Sequence, residues 1–291
     1  MDARQLQYFL AVVDEGGVRA AADKLFVAQP SISQSIRSLE RSVGSDLFTR
    51  TGRRLKLTAA GEALVSPARQ VLHWLELSRA NVEAVSGLRR GRIVIATMPS
   101  QAVDPLPAIL DRFVSTYPLV QVAIRAAGTP GEVAALVHSG EVELGIAATT
   151  TPIPANGLVL HPIAIQGFVV VTPRESHLPT IDPLTYAHLD GHRLIVGQPG
   201  TGMRRVADEV LAVNPSTSIV VESEHREAIL PMVLAGAGTA IMAEGWRSLA
   251  EHLGLRVHDL RTDIELTVTV LQRDAALSPA ATEFLRLMRH A

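Results

Sequence analysis

The chain has 291 residues, a net charge of −2, 47% hydrophobic residues and 19% charged residues. This length predicts more than one domain, and the composition is that of a globular protein rather than a disordered or membrane protein. No apolar run is long enough to span a bilayer, the first ten residues lack a signal-peptide pattern, and the absence of cysteine excludes disulfides and thiol chemistry. We therefore predict a cytoplasmic protein of at least two domains, without a membrane partner.

The charge is distributed unevenly along the chain. Residues 1–92 contain 14 Lys and Arg against 9 Asp and Glu, whereas the remaining residues contain 13 against 20. Both lysines of the chain, Lys24 and Lys56, lie in the first part. Only this part suits a polyanionic partner, because a local excess of positive charge supports salt-dependent binding to phosphates.

Two short amphipathic patterns follow each other near the start of the chain. The first has small apolar residues, Ala21 and Ala22, and ends near Phe26; the second begins at Pro30 and has an apolar face of Ile32, Ile36 and Leu39. The opposite face of the second pattern is polar and comprises Gln29, Ser31, Ser33, Gln34, Ser35 and Arg37. Such side chains hydrogen-bond phosphates and base edges in a major groove. The pattern predicts a helix-turn-helix, although a solvated surface helix has a similar composition.

A basic hairpin follows at residues 45–58, SDLFTRTGRRLKLT. Thr51 and Gly52 form the predicted turn, and the strands bury one apolar side made of Leu47, Phe48, Leu55 and Leu57. The hairpin exposes the basic residues Arg50, Arg53, Arg54 and Lys56. Arg side chains favour narrow minor grooves with high negative potential, so this hairpin is typical of the wing of a DNA-binding domain. A solvated charge cluster is the alternative.

One long helical pattern runs from residue 61 to residue 90, with Thr58 placed to cap it. Its apolar residues form a narrow stripe that includes Leu64, Val71, Leu75 and Val82. A long helix with so narrow a stripe needs a partner helix. We expect these four residues to be buried against a second copy of the chain.

Short β-branched runs alternate with helical patterns from Arg92 onward, which indicates an α/β domain. The strand segments are IVIAT, VQVAIRAAG, LGIAATT, GFVVVTP, RLIVGQ, SIVVESE, TAIMAE, LRVHDL and ELTVTVLQR. The helical segments are 107–116, 131–139, 202–212, 226–235, 245–253 and 279–289. Crossings near 158–171 and 266–273 predict two lobes that share crossover strands.

Polar residues at the predicted strand ends form the candidate ligand site. In open α/β sheets, ligands lie at the carboxyl ends of strands, where helix N-termini favour anions. The predicted effector-binding residues are Ser100, Gln101, Thr129, Thr149, Thr201 and Gly202. We expect a small-molecule effector there and favour an anion. Each of these residues is also common as an ordinary cap or turn.

Catalytic and metal-binding motifs are missing from the sequence. The glycines of GQPGTGM and AGAGTA do not fit a nucleotide-binding loop, and neither H-E-x-x-H nor G-x-S-x-G occurs. Glu222, Glu224 and His225 fit a strand end and a helix start better than a metal site. We therefore predict no catalytic residues, no metal and no cofactor.

The segment from Leu6 to Leu64 resembles the DNA-binding domain of the LysR-type transcriptional regulators through LQYFLAVVDEGG, RAAADKLFVAQPSISQSIRSLE and VGSDLFTRTGRRLKLTAAGEAL. The resemblance implies DNA contacts from Gln29, Pro30, Ser33, Gln34 and Arg53, to which Arg37 and Arg54 are added from their positions in the helix and hairpin.

The resemblance also implies the α/β architecture of that family. It comprises a winged helix-turn-helix over 1–58, a linker and dimerisation helix with a hinge over 59–91, and a two-lobed, periplasmic-binding-protein-like effector domain over 92–291. Lobe 1 takes in about 92–163 and 267–291, and lobe 2 about 164–266. The implied function is transcriptional regulation through double-stranded DNA by a homodimer or a pair of dimers.

Two other classes of protein remain as alternatives. An enzyme with the binding-protein fold and an added DNA-binding module would need clustered acids or bases in the cleft, where Ser, Thr, Gly and Pro predominate. An exported solute-binding protein would need a signal peptide and would not have a basic winged helix.

Overall fold

The structure is a computed structural model, which describes residues 1–51, 54–84, 91–176, 178–179 and 181–289. The chain forms two compact units, Met1–Leu88 with Ser139–Glu141 and Arg89–His138 with Val142–Ala291. None of the helices in these ranges is both long enough and apolar enough to cross a membrane.

The described residues of the N-terminal unit include four helices and a hairpin. The helices are α1 (Ala3–Asp14), α2 (Val18–Leu25), α3 (Gln29–Val43) and α4 (Ala59–Ala84), and the strands are β1 (Phe48–Thr51) and β2 (Arg54–Leu57). Asp2 and Gln5 form a capping box at α1. Thr58 caps α4 as predicted, because its Oγ1 accepts the N–H of Gly61 at 3.0 Å.

Two apolar clusters hold this unit together. Ile32 and Ile36 of α3 pack with Val12, Ala21 and Ala22, and Leu39 packs with residues of α1 and α4 in the second cluster. Ile32, Ile36 and Leu39 are all buried, so the predicted apolar face of the second helix is confirmed. The opposite face of α3 is thereby turned away from the core of its unit.

The hairpin has the antiparallel pairing that the sequence predicts. Phe48 is opposite Leu57, and Thr51 is opposite Arg54. The predicted turn residue Gly52 and the wing residue Arg53 lie outside the described residues.

Lobe 1 of the second unit contains a five-stranded sheet in the order β4-β3-β5-β12-β6. Its strands are β3 (Gly91–Thr97), β4 (Val120–Ala126), β5 (Leu144–Thr149), β6 (Leu158–Gln166) and β12 (Leu266–Arg273). Its helices are α5 (Pro99–Val103), α6 (Leu106–Thr116), α7 (Pro130–Ser139) and α11 (Pro279–Met288). The parallel strands β3, β4 and β5 bring the loops at their carboxyl ends to one edge of the sheet.

Lobe 2 contains a second five-stranded sheet in the order β11-β7-β10-β8-β9. Its strands are β7 (Phe168–Thr172), β8 (Arg193–Gly197), β9 (Ser218–Ser223), β10 (Thr239–Ala243) and β11 (Arg256–Leu260). Its helices are α8 (Gly202–Val213), α9 (Ile229–Leu234) and α10 (Arg247–His252). The chain passes between the sheets at Gly167 and again between β11 and β12, which gives the predicted two-lobed architecture.

Several local elements differ from the predicted ones. The helix predicted over 226–235 is a 3-10 turn, Arg226–Ala228, followed by α9, and the one predicted over 245–253 begins with a 3-10 turn, Glu244–Trp246. The 3-10 turn Tyr186–Leu189 was not predicted. The short helix α5 was not predicted either, because five residues are too few to show helical periodicity.

Candidate nucleic-acid interface and effector cleft

The face of α3 opposite its apolar core carries the predicted DNA-contacting residues. Gln29, Pro30, Gln34 and Arg37 are exposed, and Ser33 is half-buried. The guanidinium of Arg37 forms no ion pair with any described residue, whereas Lys24 pairs with Glu15. The α3 surface therefore offers amide, hydroxyl and guanidinium groups to a partner.

The predicted wing is only partly described. Lys56 is exposed on β2, and Arg54 lies in the same strand opposite Thr51. Arg53, the residue expected in the minor groove, lies outside the described residues.

The apolar stripe on α4 divides into two parts. Val71 and Leu75 are each 43% exposed and Val82 is 74% exposed, so these three side chains are not covered within the chain. Leu64, in contrast, packs against the core cluster that includes Leu6 and Phe9. The uncovered part of the predicted dimerisation stripe therefore begins at Val71.

Ser100 and Gln101 lie in α5, at the carboxyl end of β3, and both are buried. The indole N–H of Trp246 in lobe 2 donates to Ser100 Oγ at 3.0 Å, and Met203 Sδ lies 3.9 Å from the same oxygen. The Gln101 side chain is 0% exposed, and neither its amide oxygen nor its amide nitrogen has a hydrogen-bond partner. An unpaired buried amide is costly, so this one marks a candidate polar site next to the carboxyl end of β3.

Arg226 also lies between the lobes and was missed by the sequence analysis as a site residue. Its side chain is 2% exposed, and its Nη2 donates to the carbonyl oxygen of Gly128 in lobe 1 at 3.0 Å. Burial lowers the pKa of Arg226, because an apolar environment disfavours its charged form. The sequence shows a cation in a polar turn directly after β9, a pattern that an exposed arginine shares.

The predicted threonines make local hydrogen bonds. Thr129 Oγ1 accepts the N–H of Glu132 at 3.2 Å, and Thr149 Oγ1 donates to the carbonyl oxygen of Thr151 at 2.8 Å. Thr201 caps α8 through the N–H of Arg204 at 3.4 Å. These bonds are the ordinary turn and cap contacts that threonine commonly makes at such positions.

Two cavities lie near these threonines. A cavity of about 610 Å³ is lined mainly by lobe 1, including Thr129 and Thr149. A second one of about 520 Å³ lies between the lobes and brings together Thr149, Thr201 and Gly202. Ser100 and Gln101 line neither cavity, because Trp246 and Met203 cover Ser100 from lobe 2.

Gly202 lines the second cavity and also makes a close contact with lobe 1. A β-carbon on this residue would lie 2.5 Å from Leu266 Cδ2 and 3.0 Å from Thr150 Cγ2. Because Thr150 belongs to lobe 1, the start of α8 packs directly on the opposite lobe.

The described ranges contain no group of three or more His, Asp or Glu side chains that could hold a metal ion.

The comparisons with known proteins agree with this architecture. The family description "LysR substrate binding domain" matches residues 86–291, and "Bacterial regulatory helix-turn-helix protein, lysR family" matches residues 3–62. The chain therefore belongs to the LysR family of transcriptional regulators. Its resemblance to that family is confirmed, and the matches give no support to the enzyme alternative.

Curated relatives are similar over most of the chain. CysB of Haemophilus influenzae is 32% identical over 248 residues, covering 84% of this chain and 76% of the relative. ClcR of Pseudomonas putida is 29% identical over 250 residues, covering 84% and 83%. Both are described as HTH-type transcriptional regulators.

Solved structures show the same fold. A full-length OxyR variant from Pseudomonas aeruginosa has a TM-score of 0.76 at 21% identity and covers 99% of this chain and 95% of that chain. Full-length CbnR complexed with its target DNA has a TM-score of 0.69 at 24% identity, with coverage of 100% and 99%.

Proposed function

We propose that this regulator reads double-stranded DNA with the exposed face of α3 and with the hairpin β1–β2. Gln29, Pro30, Ser33, Gln34 and Arg37 are assigned to the major groove. Arg53 and Arg54 are assigned to the minor groove and the phosphates. The observation that carries this assignment is that α3 buries its apolar face in its own unit and leaves its polar face free.

The domain organisation proposed here is a winged helix-turn-helix over 1–58, a linker and dimerisation helix with a hinge over 59–91, and an effector domain over 92–291. Val71, Leu75 and Val82 are assigned to a helix–helix contact with a second copy, whereas Leu64, the fourth residue of the stripe, packs in the core of its own unit and is left out of that contact. A two-fold dimer places its paired recognition helices on half-sites about one DNA turn, roughly 10 bp, or a multiple of it apart. We assign the regulator to the cytoplasm, where bacterial DNA lies.

The DNA assignment is tested by separating affinity from sequence preference. A cognate duplex is selected from a random library with the unmodified chain, and dissociation constants are then measured for this duplex and a scrambled one. Arg53→Ala should weaken binding to both duplexes. It should also lower the slope of log affinity against log salt concentration by about one. Gln29→Ala should cost about 1–3 kcal/mol on the cognate duplex alone.

The matched control is Arg4→Ala, which removes an exposed arginine of α1 outside the proposed interface. It should change neither the dissociation constants for the two duplexes nor the salt dependence of binding. Binding of both test variants at the level of the unmodified chain would contradict the proposed docking.

We further propose that the effector binds between the lobes, against Ser100 and Gln101 and beside Thr129, Thr149, Thr201 and Gly202. The fully buried, unpartnered amide of Gln101 supports this site, because a ligand can supply the hydrogen bonds that the protein does not. Binding there acts on two lobes that the described chain joins at Gly167 and between β11 and β12. A ligand shifts the regulator between lobe arrangements by no more than its difference in affinity for them.

Fluorescence of Trp246 provides the readout for this cleft, because its indole hydrogen-bonds Ser100. A metabolite library is screened in a Trp74→Phe background, which leaves Trp246 as the single tryptophan. Gln101→Leu should abolish the response to a hit. Gln272→Leu, which also removes an amide with an unpartnered buried oxygen but lies in β12, should leave it intact. A response that persists in Gln101→Leu but is lost in Gln272→Leu would rule out the proposed cleft.

A further inference from the structure

The cavity of about 610 Å³ on lobe 1 is a groove along one face of α7. Its lining residues on this helix are three or four positions apart and therefore share a face: Pro130, Gly131, Ala134, Ala135 and His138. From the first to the last of them the helix rises by about 12 Å. The rest of the lining comes mainly from the segment 149–158, and among the described lining residues Gly200 alone belongs to lobe 2. We call this cavity the lobe 1 groove.

The walls of the lobe 1 groove are apolar and are supported by the core of the lobe. Gly131 and Ala135 leave space on the helix side because their side chains are absent or small. Ile153 and Ala134, one from each wall, pack against the buried core cluster of lobe 1. Preformed apolar cavities of a few hundred Å³ are the usual sites for small molecules. The groove therefore has the size and support of a ligand site.

Charge distinguishes the lobe 1 groove from the cavity between the lobes. Among its described lining residues there is no Asp, Glu, Lys or Arg, and His138 and Asn156 form no side-chain hydrogen bond or ion pair with another described residue. The lining of the cavity between the lobes, in contrast, includes Arg204, Arg205, Asp208 and Glu209. An ionised molecule in the groove would lose hydration without gaining a counter-charge, whereas a neutral apolar molecule would gain from burial.

We propose that the lobe 1 groove is a second ligand site, which takes a neutral, elongated and largely apolar molecule with one polar substituent for His138 or Asn156. The site is separate from the effector site proposed between the lobes and does not depend on it. Four residues line both cavities: Pro130, Thr149, Thr151 and Gly200. An occupant of the groove therefore borders the cavity between the lobes and is placed to modulate the ligand bound there.

The first test uses the full chain and a probe of the proposed shape. 4-Phenylphenol, which has two rings and one hydroxyl, is titrated by isothermal calorimetry, and biphenyl-4-carboxylate is its charged counterpart. 4-Phenylphenol should saturate at one molecule per chain, and the carboxylate should bind at least about 10-fold more weakly, because its charge has no partner in the groove. No saturation by 4-phenylphenol, or equal affinity for the two probes, would overturn the proposal.

A substitution that fills the groove then locates the bound probe. Ala135 is exposed and lines the groove, so Ala135→Phe occupies the space without removing a packed side chain. It should raise the Kd of 4-phenylphenol at least about 10-fold. Ala108→Phe adds the same ring at an exposed alanine of α6 outside the groove and should leave the Kd unchanged. Circular dichroism confirms that both variants are folded. An unchanged Kd for Ala135→Phe would refute the proposed location.

A second substitution at the same position tests the charge argument. Ala135→Lys supplies the missing counter-charge and should raise the affinity for biphenyl-4-carboxylate about 2- to 5-fold, the usual strength of an exposed ion pair. Ala108→Lys should not. An unchanged affinity for the carboxylate in Ala135→Lys would refute the argument from charge.

Sedimentation of the same variants tests whether a second copy of the chain occupies the lobe 1 groove instead. Ala135→Phe and Ala135→Lys should sediment as the unmodified chain does, because the proposed occupant is a small molecule. A smaller assembly for both of these variants, but not for Ala108→Phe and Ala108→Lys, would make the groove a contact between chains and overturn the proposal.

Discussion

Phe26, in the turn between α2 and α3, has a backbone conformation and a solvent exposure that are both unusual for an aromatic residue. Its φ is 55°, in the left-handed region, and its side chain is 96% exposed. The turn is closed by the N–H of Val27, which donates to the carbonyl of Ala22 at 3.1 Å. The backbone therefore has the conformation of a helix C-terminus that glycine or asparagine adopts most readily.

We predict that Phe26→Asn stabilises the N-terminal unit by about 0.5–1 kcal/mol, because asparagine tolerates the left-handed region and Phe26 has no packing to lose. Urea unfolding followed by circular dichroism measures this change. Phe26→Ala is the control, since it removes the ring without relieving the backbone. Equal stability of the two variants would show that conformational strain at this turn is negligible.

The burial of individual residues could be predicted from the sequence only where the periodicity of a helix or strand determines which face is buried. Ile32, Ile36 and Leu39 are buried as their spacing predicts, since one helix face is decided within a few turns. The burial of Arg226 depends on its approach to Gly128, which lies 98 positions earlier in the chain. Nothing in the sequence near Arg226 distinguishes it from an exposed arginine, so this candidate site residue was not predictable.

Among the elements, α3 begins without a side-chain cap. Ala28 has the extended backbone of an N-cap residue, with φ −70° and ψ 135°, but it has no oxygen to accept an N–H of the first turn. The N–H of Ser31 instead bonds to the carbonyl of Ala28 at 2.9 Å. A hydroxyl at position 28 would add the missing acceptor at the start of the proposed recognition helix.

We therefore expect Ala28→Thr to be more stable than Ala28→Val by about 1 kcal/mol, the usual value of an N-cap hydrogen bond. The two side chains have the same shape and differ in the hydroxyl alone. Thermal unfolding of the two variants gives the comparison. A more stable Ala28→Val would mean that the Ser31 N–H is already fully satisfied.

The start of α4 is fixed by a close approach to the hairpin. A β-carbon at Gly61 would lie 2.2 Å from the backbone oxygen of Leu47 and 2.8 Å from Leu57 Cδ2. The same oxygen accepts the N–H of Thr58 at 3.0 Å, so it is held in place and cannot move away easily. The contact joins the linker helix to the wing.

Gly61→Ala should therefore destabilise the N-terminal unit by about 2 kcal/mol or more, because overpacking outweighs the better helix propensity of alanine. Gly17→Ala is the control, since a β-carbon added at Gly17 would have no atom within 4 Å and the φ of 174° is extended. Its cost should stay below about 1 kcal/mol. Chemical unfolding of both variants, with DNA affinity measured alongside, tests the contact; similar losses for both would refute it.

At the scale of the whole molecule, alternating strand and helix patterns predicted the two-lobed fold, because each βα repeat is a local signal. The exact changes of sheet were harder to assign. In the sequence, β6 and β7 form one continuous strand-rich stretch. Only the pairing of β6 with β12 places the end of β6 at Gln166. Such long-range pairing is decided by the partner strand rather than by the sequence of β6.

The exposed stripe on α4 is the surface through which we expect two chains to assemble. Val71, Leu75 and Val82 leave a row of apolar side chains uncovered, with the half-exposed Trp74 beside them.

Leu75→Glu introduces a charge that would have to be desolvated in a helix–helix contact, so it should split the dimer into monomers in analytical ultracentrifugation. The loss of dimer should lower the affinity for a two-half-site duplex far more than for a single half-site. Gln70→Glu adds the same charge to an exposed position of α4 outside the stripe and should leave the dimer intact. A folded Leu75→Glu variant that sediments as the unmodified chain would exclude this stripe as the dimer contact, while the DNA-binding surface of α3 would be unaffected by that result.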